Sequence, residues 1–236
     1  EFLETYRRLC VSGDVLGILC SSKLSRSFGN ARAAADEGLE ELRQARRQAR
    51  VSADPVGHVI DSGQSSGALG MLALFAARML RRGLSLRETA AQLERMARRF
   101  HTVLLVPSLD YLQRSGDIQI PEGRRRAGRQ TRWLLRLEAG ELMVAAQVEG
   151  LAEGARQLVD LSADAVDVKL PVYVELVHAS APAQAAELRP RLTQRLAVRE
   201  LREREMGPAV TCHSGPGTLG VSVFQPTEDE LELLAT

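Results

Sequence analysis

Residues 58–107, HVIDSGQSSGALGMLALFAARMLRRGLSLRETAAQLERMARRFHTVLLVP, carry the strongest evidence for the class of fold. The segment predicts a short strand at His58–Ile60 and an apolar helix over Ser66–Arg82 that Gly83 closes. A second helix follows, and the β-branched run Thr102–Val106 predicts another strand. Strands that alternate with helices in this way predict a parallel sheet with right-handed crossovers.

The residues before this segment continue the same alternation. Helical spacing predicts a helix over Phe2–Val11, and the short apolar run Val15–Cys20 predicts a buried strand. Alanine and leucine recur at helical intervals over Asn30–Arg50, which predicts one long crossover helix. Within the quoted segment, Ser85 and Glu88 have the spacing of a capping box that starts the second helix.

The pattern changes after residue 120. Two apolar runs, Trp133–Leu137 and Leu142–Val148, flank Glu-Ala-Gly-Glu and predict a β-hairpin. The later elements that we predict are a helix near Leu151–Leu161, a strand at Val166–Val177, a helix at Pro182–Leu196 and a strand at Thr218–Phe224. We therefore expect an α/β protein with a parallel-sheet lobe at residues 1–120, followed by a smaller α+β lobe with an antiparallel sheet at residues 121–236.

Composition excludes several classes of function. The 236 residues are 44% hydrophobic and carry a formal net charge of +1, so no overall field favours nucleic acid or membrane. Cys10, Cys20 and Cys212 lack metal-ligand spacing and favour a reducing, cytoplasmic compartment. The apolar stretch Gly67–Leu80 is too short to span a bilayer. Because the chain starts at Glu1, we expect that part of its front is missing.

Two polar segments follow predicted strands. Ser21–Ser27 contains four serines where the first strand ends, and Asp61-Ser62-Gly63 follows the second. Hydroxyl groups and free helix N–H groups converge on anions at this edge of a parallel sheet. Both segments could instead cap the helices that follow them.

Two further segments could carry chemistry. Thr211–Gly217 predicts a polar turn in which His213 pairs with a carboxylate, or a tight turn with a purely structural histidine. A basic run could bind phosphate or an acidic partner, or form a solvated face; it consists of Arg124, Arg125, Arg126, Arg129 and Arg132. With 4% aromatic residues, base stacking is poorly supported.

An enzymatic alternative would use Ser25 as nucleophile, His213 as base and Asp61 as the group that orients it. The sequence lacks a nucleophile-elbow glycine pattern, a Walker loop and zinc-ligand spacing. We therefore expect no catalytic residues, no metal and no cofactor.

Taken in order, four motifs resemble those of the DegV family of bacterial fatty-acid-binding proteins. They are Leu24–Phe28 (family Leu-Ser-Gly-Thr-Tyr), Val59–Ser62 (Val-Ile-Asp-Ser), Leu109–Ile118 (Leu-x-Tyr-Leu-x-x-Gly-Gly-Arg-Ile), and Gly207-Pro208 with His213–Gly220 (His-Thr-Gly-Pro-Gly-Ala-Leu-Gly). The resemblance covers essentially the whole chain. It implies a parallel α/β lobe and an α+β lobe with a fatty acid in a tunnel between them.

The resemblance also implies a set of ligand-binding residues. In the family, hydroxyl groups hold the carboxylate, and Ser25 matches one of them, with His213 nearby. The residues that we expect at or near the carboxylate are Ser25, Ser27, Asp61, Ser62, His213, Ser214 and Gly215. Some members deliver the acid to a fatty acid kinase, but Glu149 stands where those members carry an arginine. This difference argues against a kinase partner.

The sequence departs from the family most clearly at Gly123–Trp133, GRRRAGRQTRW, where the family has an apolar helix beside the tunnel. Arg26 also replaces a glycine, and Asp117 replaces an arginine. Unpaired buried charge is costly, so arginines do not line an acyl channel unless they turn outward. The alternative function is a diverged scaffold that binds an acidic partner or phosphate through this Arg-rich segment.

Overall fold

The computed structural model describes residues 1–51, 57–116, 118, 128 and 130–235. Helix α1 (Phe2–Cys10) leads into strand β1 (Val15–Leu19), which pairs in parallel with β2 (Gly57–Asp61). These two strands form a sheet of their own within the described part of the chain. The predictions of a helix at Phe2–Val11 and of strands at Val15–Cys20 and His58–Ile60 are confirmed.

The single helix predicted over Asn30–Arg50 is wrong, because this segment forms two helices. These are α2 (Ser27–Glu37) and α3 (Leu39–Gln48), and they meet at Gly38. A side chain on Gly38 would collide with the Leu3 side chain and with the carbonyl oxygen of Ala34. Glycine therefore allows α1 to pack closely against the junction of the two helices.

Helices α4 (Ser66–Arg81) and α5 (Leu86–Ala97) follow β2 as predicted, and Ser85 with Glu88 forms the predicted capping box. Strand β3 (Phe100–Val106) is also present. The prediction that it joins a parallel sheet is wrong. It pairs antiparallel with both of its neighbours and belongs to a second, six-stranded sheet.

The six-stranded sheet has the order β5-β4-β3-β8-β6-β7, and its pairs are antiparallel except β6–β7. The remaining strands are β4 (Thr131–Glu138), β5 (Glu141–Glu149), β6 (Val172–His178), β7 (Val198–Glu205) and β8 (Leu219–Phe224); the remaining helices are α6 (Asp110–Ser115), α7 (Leu151–Ala163), α8 (Pro182–Arg195), α9 (Pro208–Ser214) and α10 (Glu228–Leu234). The sequence did not predict β7, α6, α9 or α10. Strand β6 begins six residues later than predicted.

The predicted β-hairpin is confirmed. Strands β4 and β5 are joined by Ala139 and Gly140, whose φ angles are 48° and 87°. Two consecutive positive φ values are typical of the turn whose twist matches that of antiparallel strands. The hairpin turn lies against the Ser21–Ser27 loop, because the Ser21 hydroxyl donates to the Gly140 carbonyl oxygen at 2.7 Å.

Three apolar clusters cover the two faces of the six-stranded sheet. One face packs against α7 and α8. On the other face, α4 and α5 build an aromatic core around Phe75, and this core also includes Ile60 of β2. Beside it lies a second cluster, here called the α6–α9 cluster, which consists of Leu104, Val106, Leu109, Leu112, Ile118, Trp133, Leu135, Val177, Ala179 and Met206.

The division into lobes at residues 1–120 and 121–236 stays a prediction. Strand β3 precedes residue 120 but pairs with β4 and β8, so sheet membership does not follow that boundary. Helix α4 packs on β1 and also on β6 and β8, which places it between the two sheets.

Candidate ligand-binding site

The Ser21–Ser27 loop begins where β1 ends and is folded back on itself. The backbone N–H of Ser25 donates to the Ser21 carbonyl oxygen at 2.9 Å. The hydroxyl oxygens of Ser25 and Ser27 lie 2.9 Å apart, and Ser25 Oγ also accepts the N–H of Ser27 at 3.2 Å. Both serines are half-buried. The loop therefore presents two adjacent hydroxyl groups at the start of α2.

The Asp61–Gln64 loop follows β2 and is tied to the first loop. Asp61 Oδ1 accepts backbone N–H groups from Ser22 at 3.1 Å and Gly63 at 2.9 Å. The Gln64 carbonyl oxygen accepts the N–H of Ser21 at 2.8 Å. Ser62 is buried, and its hydroxyl donates to the Leu19 carbonyl oxygen at 2.6 Å. Asp61 and Ser62 thus hold the two loops side by side.

His213 and Ser214 lie in the last turn of α9, so the prediction of a polar turn over Thr211–Gly217 is wrong for Thr211–Ser214, which are helical. His213 is exposed, and Ser214 is buried with its hydroxyl 3.8 Å from Met206 Sδ. Gly215 ends the helix at φ 82°, and a Cβ at this position would lie 2.6 Å from the ring of Tyr111. The segment is therefore packed tightly against α6.

The α6–α9 cluster connects the two groups of predicted site residues. On one side, a Cβ on Gly67 would lie 3.1 Å from Val177 Cγ1, so the start of α4 touches a residue of the cluster. Leu142 packs on the cluster two residues after Gly140, the partner of Ser21. On the other side, Met206 contacts Ser214 and Val210 of α9 packs against the cluster. The start of α4, the hairpin that binds Ser21 and the histidine helix thus border one apolar region.

The sequence predicted helix α4 but not a role of its first turn at the site. Ser65 is its N-cap residue and makes no side-chain capping bond, and Ser66 has a φ of 48°. Gln64 is 6% exposed although it is polar. The signal in the sequence was Ser-Ser-Gly directly ahead of an apolar run, which is an N-cap pattern. The Gln64 carbonyl oxygen, just before this turn, accepts the N–H of Ser21, so α4 starts beside the serine loop.

Charges around the loops are mostly exposed. Lys23 forms a 3.5 Å ion pair with Glu141 of the hairpin. Arg124, Arg125, Arg126 and Arg129 of the predicted basic segment, and Asp117, lie outside the described residues. Arg132 is described, and its guanidinium donates to the Thr131 carbonyl oxygen at 2.9 Å. Glu149 accepts the hydroxyl of Thr131 at 2.8 Å.

The described residues contain no group of three or more His, Cys, Asp or Glu side chains that could hold a metal ion. No helix among them has the length and apolar character needed to cross a membrane.

A small parallel sheet, a mixed six-stranded sheet and polar loops that border an apolar cluster define an α/β protein suited to an amphipathic ligand. The chain belongs to the DegV family, because the sequence profile described as "Uncharacterised protein, DegV family" matches residues 1–226. This result confirms the family resemblance seen in the motifs.

Individual relatives agree with this assignment. A DegV domain-containing protein of Streptomyces coelicolor is 30% identical over 225 residues, which cover 94% of this chain and 74% of the relative. A protein of Thermotoga maritima named fatty acid-binding protein is 28% identical, over 89% of this chain and 68% of its own. The crystal structure of a DegV lipid-binding protein from the same organism matches with a TM-score of 0.78 at 25% identity, over 94% of this chain and 75% of its own. The predicted α/β fold class is confirmed.

Proposed function

We propose that this protein binds a long-chain fatty acid, with the carboxylate at the serine loop and the acyl chain along the α6–α9 cluster. The observation that carries the proposal is that one apolar cluster is contacted from two sides. Ser214, next to His213, contacts Met206 of the cluster, and the hairpin that binds Ser21 of the serine loop packs on the cluster through Leu142. The Thermotoga maritima relative is named a fatty acid-binding protein. The expected ligand residues are Ser25, Ser27, Asp61, Ser62, His213, Ser214 and Gly215.

Chemistry explains why these two surfaces suit one ligand. An acyl chain gains about 0.8 kcal/mol for each methylene that it buries, so most of the affinity comes from the apolar cluster. Hydrogen bonds from Ser25, Ser27 and His213 to a carboxylate add less free energy but fix its position. The exposed side chains of Lys23 and Arg26 add positive charge at the rim. Asp61 and Ser62 support the loops through the backbone bonds described above.

The proposed role is non-catalytic. Asp61 Oδ1 accepts two backbone N–H groups, so this carboxylate holds the loops together instead of orienting a catalytic base. We also place the protein in the cytoplasm, which three cysteines outside any disulfide support. We propose no kinase partner, because Glu149 carries the opposite charge to the arginine of kinase-partnered members.

The first test is mass spectrometry of small molecules released by denaturing the purified protein. A near-stoichiometric fatty acid is the expected result. A protein that is empty, and stays empty after incubation with oleate and palmitate, would refute the proposal. Steep salt dependence in binding of an acidic polymer would then favour the Arg-rich segment as the functional surface.

The second test concerns the carboxylate. The double variant Ser25→Ala with His213→Ala is expected to retain at least tenfold less oleate. The carboxylate loses one hydrogen bond from the Ser25 hydroxyl and one from the His213 imidazole. Thr193→Ala is the matched control, since this exposed hydroxyl bonds only within its own helix, at the Arg189 and Pro190 carbonyl oxygens. Unchanged retention in the double variant would show that the carboxylate lies elsewhere.

A further inference from the structure

Gln64 makes buried hydrogen bonds to residues outside its own loop. Its side-chain Nε2 donates to the Ala97 carbonyl oxygen at the end of α5, at 3.1 Å. Its Oε1 accepts the hydroxyl of Thr102 on β3 at 3.3 Å. The Thr102 hydroxyl oxygen in turn lies 2.9 Å from that of Ser222 on β8. Gln64 therefore connects the loop directly to β3 and, through Thr102, to β8.

The backbone of the same residue holds both polar loops. Its carbonyl oxygen accepts the N–H of Ser21 at 2.8 Å, and its N–H donates to Ser62 Oγ at 3.0 Å. One residue thus connects the serine loop, the Asp61–Gln64 loop and the sheet that carries the α6–α9 cluster.

The connection crosses a boundary between apolar regions. Thr102 and Ser222 are 5% and 1% exposed, and both lie on the sheet face between the aromatic core and the α6–α9 cluster. Buried hydroxyl and amide groups are almost always hydrogen-bonded, since burying a polar group without a partner costs free energy. The Ala97 carbonyl oxygen can only accept, so it fixes the Gln64 amide with Nε2 towards α5 and Oε1 towards Thr102.

We propose that Gln64 is a positioning residue for ligand binding: it fixes the distance between the carboxylate-binding loops and the acyl-binding cluster. Gln64 itself does not touch the ligand in this role. The inference rests on the proposed function, because it assigns the carboxylate to the loops and the acyl chain to the cluster. It predicts that losing Gln64 weakens recognition of the carboxylate while leaving the apolar contacts in place.

The test compares palmitic acid with hexadecanol, the alcohol of the same chain length, by isothermal titration calorimetry. In Gln64→Leu, which keeps the bulk and removes both side-chain hydrogen bonds, affinity for the acid is expected to fall roughly tenfold. Affinity for the alcohol is expected to stay within about twofold, since the cluster is unchanged. Thr102→Val should reproduce the effect, and Thr102→Ser, which keeps the hydroxyl, should restore the wild-type preference for the acid.

The control is Ser162→Ala, which removes a buried 2.8 Å hydrogen bond to the Leu158 carbonyl oxygen inside α7, on the opposite face of the sheet. It should leave the ratio of the two affinities unchanged. Equal losses for acid and alcohol in the Gln64 and Thr102 variants, or no loss for the acid, would overturn the positioning role. Wild-type protein that binds neither compound would instead refute the proposed function.

Discussion

Gly215 ends α9 in a left-handed conformation and faces the ring of Tyr111. Gly215→Ala must adopt φ near 82° and push a methyl group into that ring. The expected loss is about 2 to 4 kcal/mol of unfolding free energy, the sum of the backbone and packing costs. Gly63→Ala is the control, because its φ of 57° is also left-handed but its Cβ would meet open space. It should cost about 1 kcal/mol in the same urea titration; equal costs would show that the Tyr111 contact is not tight.

Glu175 is a buried carboxyl group on β6, 2% exposed, with Arg204 Nε of β7 at 2.8 Å. Burial raises its pKa above the ordinary 4.5, Arg204 opposes this shift, and the charge of Glu200 adds to it. In register, Arg202 of β7 and Ser222 of β8 stand opposite Glu175, and Gly67 of α4 packs on its side chain.

A raised pKa means that the native state holds this proton more tightly than the unfolded chain does. The stabilisation is complete below the unfolded pKa and is lost as pH rises through the native pKa. The unfolding free energy of wild type minus that of Glu175→Gln should therefore decrease from about pH 4.5 upward. Glu88 has a lowered pKa because it accepts hydrogen bonds from Ser85, so Glu88→Gln should show the opposite slope. A flat difference for Glu175 would contradict the effect of burial.

The site residues show what a sequence can and cannot reveal about position. The serine loop and the Asp61 loop were predicted to share one edge of a sheet, and hydrogen bonds do join them. The helical state of His213 was missed, although Pro208 at the first position and Gly215 after the last turn are the usual start and stop signals. Gln64 could not be identified, since its partners Ala97 and Thr102 are distant in sequence.

Among the elements, β3 and β7 mark the limits of pattern reasoning. The run Thr102–Val106 is apolar on both faces, and such a run looks the same in a parallel or an antiparallel sheet. Strand β3 pairs with β4 and β8, which come later in the chain, so its own sequence does not reveal the direction of its neighbours. Strand β7 has the sequence VRELRERE and lies at the sheet edge, where charged side chains can be exposed to solvent. Its sequence therefore lacks the apolar run that indicates a buried strand.

Alanine is expected to have opposite effects on stability at two glycines, one at the break between α2 and α3 and one within α2. Gly38→Ala should destabilise the protein by about 1 to 3 kcal/mol, because the new methyl group meets the Ala34 carbonyl oxygen and the Leu3 side chain. Gly29→Ala, within α2 and facing open space, should stabilise it by about 0.5 to 1 kcal/mol through helix propensity. Thermal or urea unfolding of both variants measures the difference. Stabilisation by Gly38→Ala would show that one continuous helix is compatible with α1.

The two sheets share one aromatic core. Phe75 of α4 is fully buried, and its ring centroid lies 5.1 Å from that of Tyr173 on β6 and 5.3 Å from that of Phe224 on β8. Ile60 of β2 belongs to the same cluster, and Ile18 of β1 packs against it. A two-stranded sheet is marginal by itself and needs a packed helix for stability. We therefore expect the small sheet and the large sheet to unfold together.

Phe75→Ala tests this cooperativity. The cavity is expected to cost about 3 to 5 kcal/mol, and it should lower the stability of both sheets by the same amount. Fluorescence of the single tryptophan, Trp133, reports the six-stranded sheet, and amide exchange at Ile18 and Ile60 reports the small one. Leu192→Ala, in the core on the opposite face, should also shift both probes if folding is cooperative. If Phe75→Ala speeds exchange in β1 and β2 while the Trp133 transition is unchanged, the two sheets unfold as separate units. In that case ligand binding, and not the shared core, must hold the carboxylate loops against the acyl-binding cluster.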